Sequence, residues 1–301
     1  MKASVLIATR DRPQSLRRCL AGVARQDVPP LEVLILDDAS STPLDEEAVR
    51  RAVAGLPVRF LRSEERLGPA GCRNRLMQQA RSDLFILLDD DACFADPSGI
   101  RNTIAAFEQN PEAGILAFKL IEKNPGQEGL LVPHGRRRLR RQPHLANKEG
   151  LVTHYLAGGH AVQRTVIERC GYFPPDLCYG HEELDLSYRA LDAGFTILYL
   201  PSVVVHHFRD EATAPAWPWK IYHLTRNRIR IAFTYLPMPY MPVHIGCWVL
   251  WYGLYALRHR ALRAFGRGLR AGLSSLKRSP RCPLRARTIA YLKAHHGRLW
   301  Y

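Results

Sequence analysis

Short apolar runs recur through the first ninety residues, and between them lie segments with helical spacing. The runs are "ASVLIA" (3–8), "LEVLIL" (31–36), "VRFLR" (58–62) and "LFILLD" (84–89). Between them come "PQSLRRCLAGVARQ" (13–26), opened by Pro13, and "DEEAVRRAVAG" (45–55), with acids first and glycine last. "GPAGCRNRLMQQARS" (68–82) reads as a glycine-containing turn and a helix. Strands this apolar leave no face for water. Separated by helices, they predict an α/β fold with a mostly parallel central sheet covered on both sides. Ligands of such sheets bind outside the carboxyl ends of the strands. Those ends here read "ATRDR", "DDAS" and "DDDA".

The last of these raises a question of charge. Leu84 to Leu88 run straight into Asp89, Asp90 and Asp91. Adjacent carboxylates repel and raise one another's pKa, so a cation is expected among them. Side-chain alternation puts Asp89 and Asp91 on one face and Asp90 elsewhere. Carboxylate oxygens suit Mg²⁺ or Mn²⁺, which in turn bridges a diphosphate.

Downstream, residues 122–150 are polar, and "HGRRRLRRQ" (134–142) is expected as a basic loop, solvated or touching substrate phosphates. "YLAGGHAVQRTVIERCGYF" (155–173) reads as a turn and helix, and "GHEELDLSYRALDAGF" (180–195) as a helix with acids in its first turn. "TILYLPSVVVHHF" (196–208) reads as two short strands around Pro201. An apolar content of 47% is that of a globular chain. Seven cysteines without a C-x-x-C pair suggest free thiols in a reducing compartment. The apolar run Val5–Ala8 is too short for a signal peptide, so a cytoplasmic location is expected.

Charge is divided along the chain. Residues 212–301 carry 16 Lys or Arg and no acid. Against a net charge of +15, this leaves the first 211 residues at −1. The tail also holds "YLPMPYMPVHIGCWVLWYGLYAL" (235–257), whose uninterrupted part, Ile245 to Leu257, is too short to span a bilayer. Leu262, Phe265, Leu269, Leu273 and Leu276 follow at spacings of three and four, with Arg263, Arg267, Arg270 and Lys277 on another face. A basic amphipathic helix just after Trp248 and Trp251 suits an anionic membrane surface. The tail is therefore expected as a helical, membrane-associating segment (236–301) after a body of 1–235, itself divided near residue 120.

The four stretches "SVLIATRDR", "LEVLILDDAS", "GPAGCRNRLMQQARSDLFILLDDDA" and "GHEELDLSYRALDAGFTILYLPSVVVHH", in this order, resemble the family 2 glycosyltransferases of GT-A fold, over about residues 1–235. The resemblance implies a nucleotide-diphosphate-sugar donor, a divalent cation and inversion at the sugar. It implies base contacts from Ala8, Arg10 and Arg12 and from Asp38; Arg10 stands where the family usually has an aromatic. It places Arg73 near the diphosphate, Asp89 and Asp90 on ribose and sugar, and Asp91, with Asp89, at the metal. A histidine, His206 or His207, completes that site, and spacing from Pro201 favours His207. The family's acid pair falls on Glu182 and Glu183, and its second member, usually Asp, takes the acceptor's proton; Glu182 stays a rival. Acids at a helix N-terminus also need no chemistry to explain them. Gly158 and Gly159 fall on the acceptor turn, with His160 beside the acceptor. A UDP- or dTDP-sugar donor is expected. So is a polyprenyl-diphosphate-linked saccharide acceptor in bacterial exopolysaccharide, O-antigen or capsule biosynthesis, at the inner face of the cell membrane.

Two other functions compete. Nucleotidyl transfer would require a glycine-rich, lysine-bearing loop after the first strand, and "ATRDRP" has none. Nucleic-acid binding would use the basic tail, yet its arginines are interleaved with Trp, Leu and Phe at amphipathic spacing and no nucleic-acid motif is present.

Overall fold

The computed structural model describes residues 1–53, 55–124, 127–208, 216–277 and 279–300. The first half alternates as expected: β1 (Ala3–Thr9), α1 (Pro13–Ala24), β2 (Glu32–Asp38), α2 (Glu46–Ala52), β3 (Val58–Ser63), α3 (Gly68–Gln79), β4 (Leu84–Asp89). Residue 54, at the end of the second expected helix, lies outside the described residues. Then come β5 (Ala92–Phe94), α4 (Gly99–Gln109), β6 (Ala113–Asn124), β7 (Gln127–Leu131), α5 (Arg136–Arg141), β8 (Gly150–Val152), β9 (Gly159–Gln163), α6 (Arg164–Cys170), α7 (Glu182–Ala193) and β10 (Thr196–His207). Four helices close the chain: α8 (Trp217–Tyr235), α9 (Met241–Arg258), α10 (Leu262–Ser275) and α11 (Ala286–Ala294).

One sheet runs through the molecule in the order β3-β2-β1-β4-β9-β6-β10-β5. Strands β3, β2, β1 and β4 are mutually parallel, as are β6 and β10. Alternate residues feed two cores. Val5, Ile7, Ile35 and Ile86 pack with Leu16 and Leu20 of α1 on one face. Leu6, Leu34, Phe85 and Tyr199 pack with Leu76 of α3 and Leu186 of α7 on the other. Burial on both faces is what unbroken apolar strands require.

Three expectations are corrected. "HGRRRLRRQ" contains the short helix α5, whose Leu139 packs against the core; with arginine at five of six positions it shows no apolar period. Residues 155–173 hold a strand as well as a helix. β9 lies antiparallel between β4 and β6, and its opening glycine had read as turn. Residues 196–208 form one strand, not two; Pro201 falls where the β6 pairing shifts register between Leu200 and Val204.

The C-terminal helices return to the body. Leu236, Leu284, Leu292 and Leu299 join the core shared by α3 and α7, and the Tyr291 hydroxyl donates to the Val152 carbonyl at 3.0 Å. α10 lies against α8 through Ala264, Gly268 and Gly272; a Cβ on Gly268 would meet the Tyr222 carbonyl at 2.6 Å. Its leucine stripe therefore faces outward, with Leu262 and Leu273 half exposed. α9 also turns apolar residues out: Leu250 is 66% exposed, and Trp251, Leu254 and Leu257 all exceed half. No helix among the described residues is long and apolar enough to cross a membrane. All seven cysteines are free thiols.

Candidate functional site

The ends of β1, β2 and β4 meet where the parallel topology predicts. Ala8 lies in register between Leu36 of β2 and Asp89 of β4. Beyond it the chain turns through Asp11 at φ 53°, and beyond β2 through Ala39 at φ 54°. The two turns clasp each other: Asp11 Oδ1 accepts from Ser41 N–H and its hydroxyl, and Asp11 N–H donates to Ser40 Oγ. Asp38 accepts from the backbone N–H groups of Leu67 and Gly68 at 2.6 and 3.1 Å. It thus fixes the turn into α3, and its remaining lone pairs are available to a base N–H. Arg10 is half exposed and sits 3.5 Å from Asp11, clear of the acid cluster.

The cations required by the aspartate triplet are present. Arg12 Nη1 reaches Asp90 Oδ1 at 3.1 Å and Asp91 Oδ2 at 3.2 Å. Arg73, buried in α3, donates to Asp89 Oδ1 at 2.9 Å and to Glu182 Oε1 at 3.1 Å. Asp90 and Asp91 lie in the turn after β4, beyond strand alternation; Asp90 shares Arg12 with Asp91 and also accepts from Thr9 Oγ1 at 2.7 Å. Burial pushes its carboxyl up to about 6, against the pull of Arg12 and Thr9. Burial would raise Asp91 too, but His207 and Arg12 hold it below the ordinary carboxylate range.

Asp89, Asp91 and His207 bring their ligand atoms within 4.8 Å of one another. His207 Nε2 lies 3.2 Å from Asp91 Oδ1. Two carboxylates and an imidazole form a donor set that fits Mn²⁺ or Mg²⁺. β10 turns the two histidines apart: His207 faces the cluster, and His206 lies near Lys123 and Glu128. Gly158 makes room for that ring, since a Cβ there would stand 3.3 Å from His207 Cδ2. Gly159 and His160 are strand residues of β9, not an open turn. His160 is fully buried against Tyr155, 4.5 Å between ring centres, and has no surface for an acceptor.

The two glutamates separate at the start of α7. Glu182 is buried and held by Arg73. Glu183 lines a cavity of about 220 Å³ together with Tyr155, His181 and Arg228. Burial and then the charge of Glu182 push the Glu183 carboxyl up to about 8. His181 before them is left-handed, φ 75°, and its Nε2 lies 3.1 Å from the Tyr252 hydroxyl of α9. Asp185 is a tie, accepting from Arg189 and from the Tyr235 hydroxyl. Sequence reasoning passed over Arg228. Its signal was an arginine on the face that also carries Ile221, Thr225 and Ala232, all buried.

A metal-bound diphosphate, a sugar beside it and a nearby base is the chemistry this arrangement can support. The profile of "Glycosyl transferase family 2" matches residues 4–171. The "Uncharacterized glycosyltransferase YwdF" of Bacillus subtilis is 27% identical over 183 residues, 59% of this chain and 63% of that protein. A Campylobacter jejuni "GalNAc(5)-diNAcBac-PP-undecaprenol beta-1,3-glucosyltransferase" is 30% identical over 125 residues, 40% of this chain and 39% of that protein. Among solved structures, Staphylococcus aureus TarS 1–349 with UDP superposes with a TM-score of 0.65 at 16% identity, covering 93% of this chain and 83% of TarS 1–349. The mannosyltransferase PcManGT of Pyrobaculum calidifontis with GDP-Man and Mn²⁺ gives 0.62 at 20%, covering 98% of this chain and 79% of that one.

Proposed function

Since the chain belongs to glycosyl transferase family 2 and is a glycosyltransferase, we propose that it is an inverting, metal-dependent one acting on a lipid-linked saccharide. The observation that carries this reading is Arg73, which ties Asp89 of the aspartate cluster to Glu182 of the glutamate pair. Donor-side acids and candidate base are thereby parts of one constellation.

In this reading the donor is a nucleotide-diphosphate sugar, with UDP or dTDP preferred. Ala8, Arg10, Arg12 and Asp38 border the base, Asp89 and Asp90 the ribose and sugar, and Arg73 the diphosphate. Asp89, Asp91 and His207 would hold a divalent cation, which would supply Lewis-acid neutralisation of the leaving diphosphate. The acceptor oxygen attacks the anomeric carbon as the bond to the diphosphate breaks. The nucleoside diphosphate leaves with the electron pair, and Glu183 takes the acceptor's proton. A single displacement inverts the configuration. The test is a titration of UDP, dTDP and GDP with and without Mn²⁺ on wild type and Asp91→Asn. One nucleotide should bind in a metal-dependent manner, with affinity falling by more than about 100-fold in the variant. Equal binding by both proteins would remove Asp91 from the metal site.

The acceptor is read as a polyprenyl-diphosphate-linked saccharide of bacterial surface-polysaccharide assembly. The lipid-linked acceptor in the name of the Campylobacter relative supports this. So does the exposed apolar face of α9 beside the basic face of α10, which suits an anionic membrane surface; in this reading that surface is the cytoplasmic face of the cell membrane. Leu250→Glu with Leu254→Glu should weaken sedimentation with phosphatidylglycerol vesicles by on the order of 100-fold. Unchanged sedimentation would remove α9 from the membrane.

A further inference from the structure

Beyond Arg12 and Arg73, a second group of arginines lies around the cavity that Glu183 lines, and among the described residues no carboxylate forms an ion pair with it. Arg228 is 4% exposed and has no hydrogen-bond or ion-pair partner among the described residues; its Nε is buried and unsatisfied. The guanidinium sits 3.8 Å from the ring centre of Trp248, and Arg298 lies over the same ring at 5.7 Å. A buried cation without an anion is costly, and a tryptophan face offsets only part of that cost. A solvated basic surface does not account for Arg228, because only 4% of it is exposed, inside a cavity.

The inner cavity that Arg228 shares with Glu183 adjoins an outer one of about 790 Å³. Thr153, His154, Trp248 and Arg298 line both. One wall of the outer cavity is α5, which contributes Arg136, Arg137, Arg138 and Arg141. None of these forms an ion pair among the described residues. The opposite wall is α9, through Trp248 and Trp251. Immediately outside, the same helix exposes Leu250, Leu254 and Leu257. His154 between the cavities is pushed down to about 4 by burial and by Arg298 and Arg228. An arginine wall, an aromatic wall and an apolar lip together match an amphiphile whose charge is concentrated at the head.

We propose that these joined cavities seat the acceptor's diphosphate: a prenyl diphosphate-linked sugar lies with its diphosphate among Arg228, Arg298 and the α5 arginines, its hydrocarbon leaving along α9. This rests on the reading of the chain as a transferase onto a lipid-linked saccharide. The inner cavity has the size of about one sugar ring and contains Glu183, so the reacting hydroxyl lies on a sugar close to the diphosphate. The acceptor is accordingly a short saccharide, not a long polymer.

The probes are farnesyl diphosphate, farnesol and inorganic pyrophosphate, titrated calorimetrically into the full-length protein in EDTA, so that no metal recruits the diphosphate to the donor side. Farnesyl diphosphate should bind at least about tenfold more tightly than either fragment. Arg137→Gln with Arg141→Gln and Arg298→Gln, all at exposed positions, should weaken it by on the order of 100-fold. Farnesyl diphosphate no tighter than farnesol, or equal binding by the triple variant, would overturn the proposal. Pyrophosphate as tight as farnesyl diphosphate would mean a free-anion site and overturn it too. So would displacement by phosphatidylglycerol vesicles as effective as by farnesyl diphosphate. The UDP and Mn²⁺ titration of the wild type reports separately on the donor reading. If UDP binds and farnesyl diphosphate does not, only the acceptor seat is wrong.

Discussion

Glu183→Gln is expected to lower turnover by on the order of 10³-fold while nucleotide affinity stays unchanged. Glutamine keeps the shape and volume of the side chain and removes only its ability to take a proton. Glu183 lines the inner cavity, whereas Glu182 is occupied by Arg73. The two glutamates thus differ in access, not in chemistry. The pH profile carries a second signature. A base must be ionised to act, and burial pushes Glu183 up to about 8. The wild-type rate should therefore rise with pH and level off above about 8, and the variant's residual rate should lack that limb. The sign for stability is opposite. With a folded-state pKa above the unfolded value, the native protein holds the proton more tightly, so Glu183 costs stability as pH rises from about 4.5 through about 8. Turnover of the variant within a few-fold of wild type would transfer the role to Glu182.

The strands that border the candidate site were legible because unbroken apolar runs too short for a helix, set between helical segments, fit strands buried on both faces. "SVLIA" and "LFILL" fit short buried strands by length and flanking helices, and their polar ends fell at the site. β9 was not legible: Gly158 and Gly159 look like a turn, and their reason is close packing against His207 and Val205 of a strand forty-odd residues on. Between His206 and His207 the sequence offered only spacing from Pro201, which favours His207; the face each presents depends on β10 after its register shift there. Adjacent residues with equal chemistry differ only in direction, and direction is a property of the assembled sheet. The same holds for α10. Its leucine stripe was visible, but the face that packs is glycine and alanine, because two helices this close admit nothing larger. Arg228 could be seen as an arginine among apolar residues. That no carboxylate pairs with it among the described residues follows only from the packing of α8, α9 and the C-terminal segment around it.

Arg73→Met should cost roughly 3–5 kcal/mol of stability, more than the loss of any surface pair in the molecule. Methionine fills much of the space but leaves Asp89 and Glu182 without their shared cation, beside a third carboxylate in Glu183. Arg73 is held in its charged form by Asp89 and Glu182 in spite of burial, so the pair energy in the native state is large. The same cation restrains the upward push on Glu183, and its removal should move the Glu183 limb of the pH profile to higher pH. Excess buried negative charge is relieved by protons. The native state of the variant should bind more protons than its unfolded state, and its deficit relative to wild type should grow with pH. Urea denaturation at pH 5 and pH 8 measures this directly. A deficit clearly larger at pH 8 identifies charge as the cause; an equal deficit at both values would mean that Arg73 stabilises the fold by packing alone, and the link between Asp89 and Glu182 would lose its electrostatic meaning.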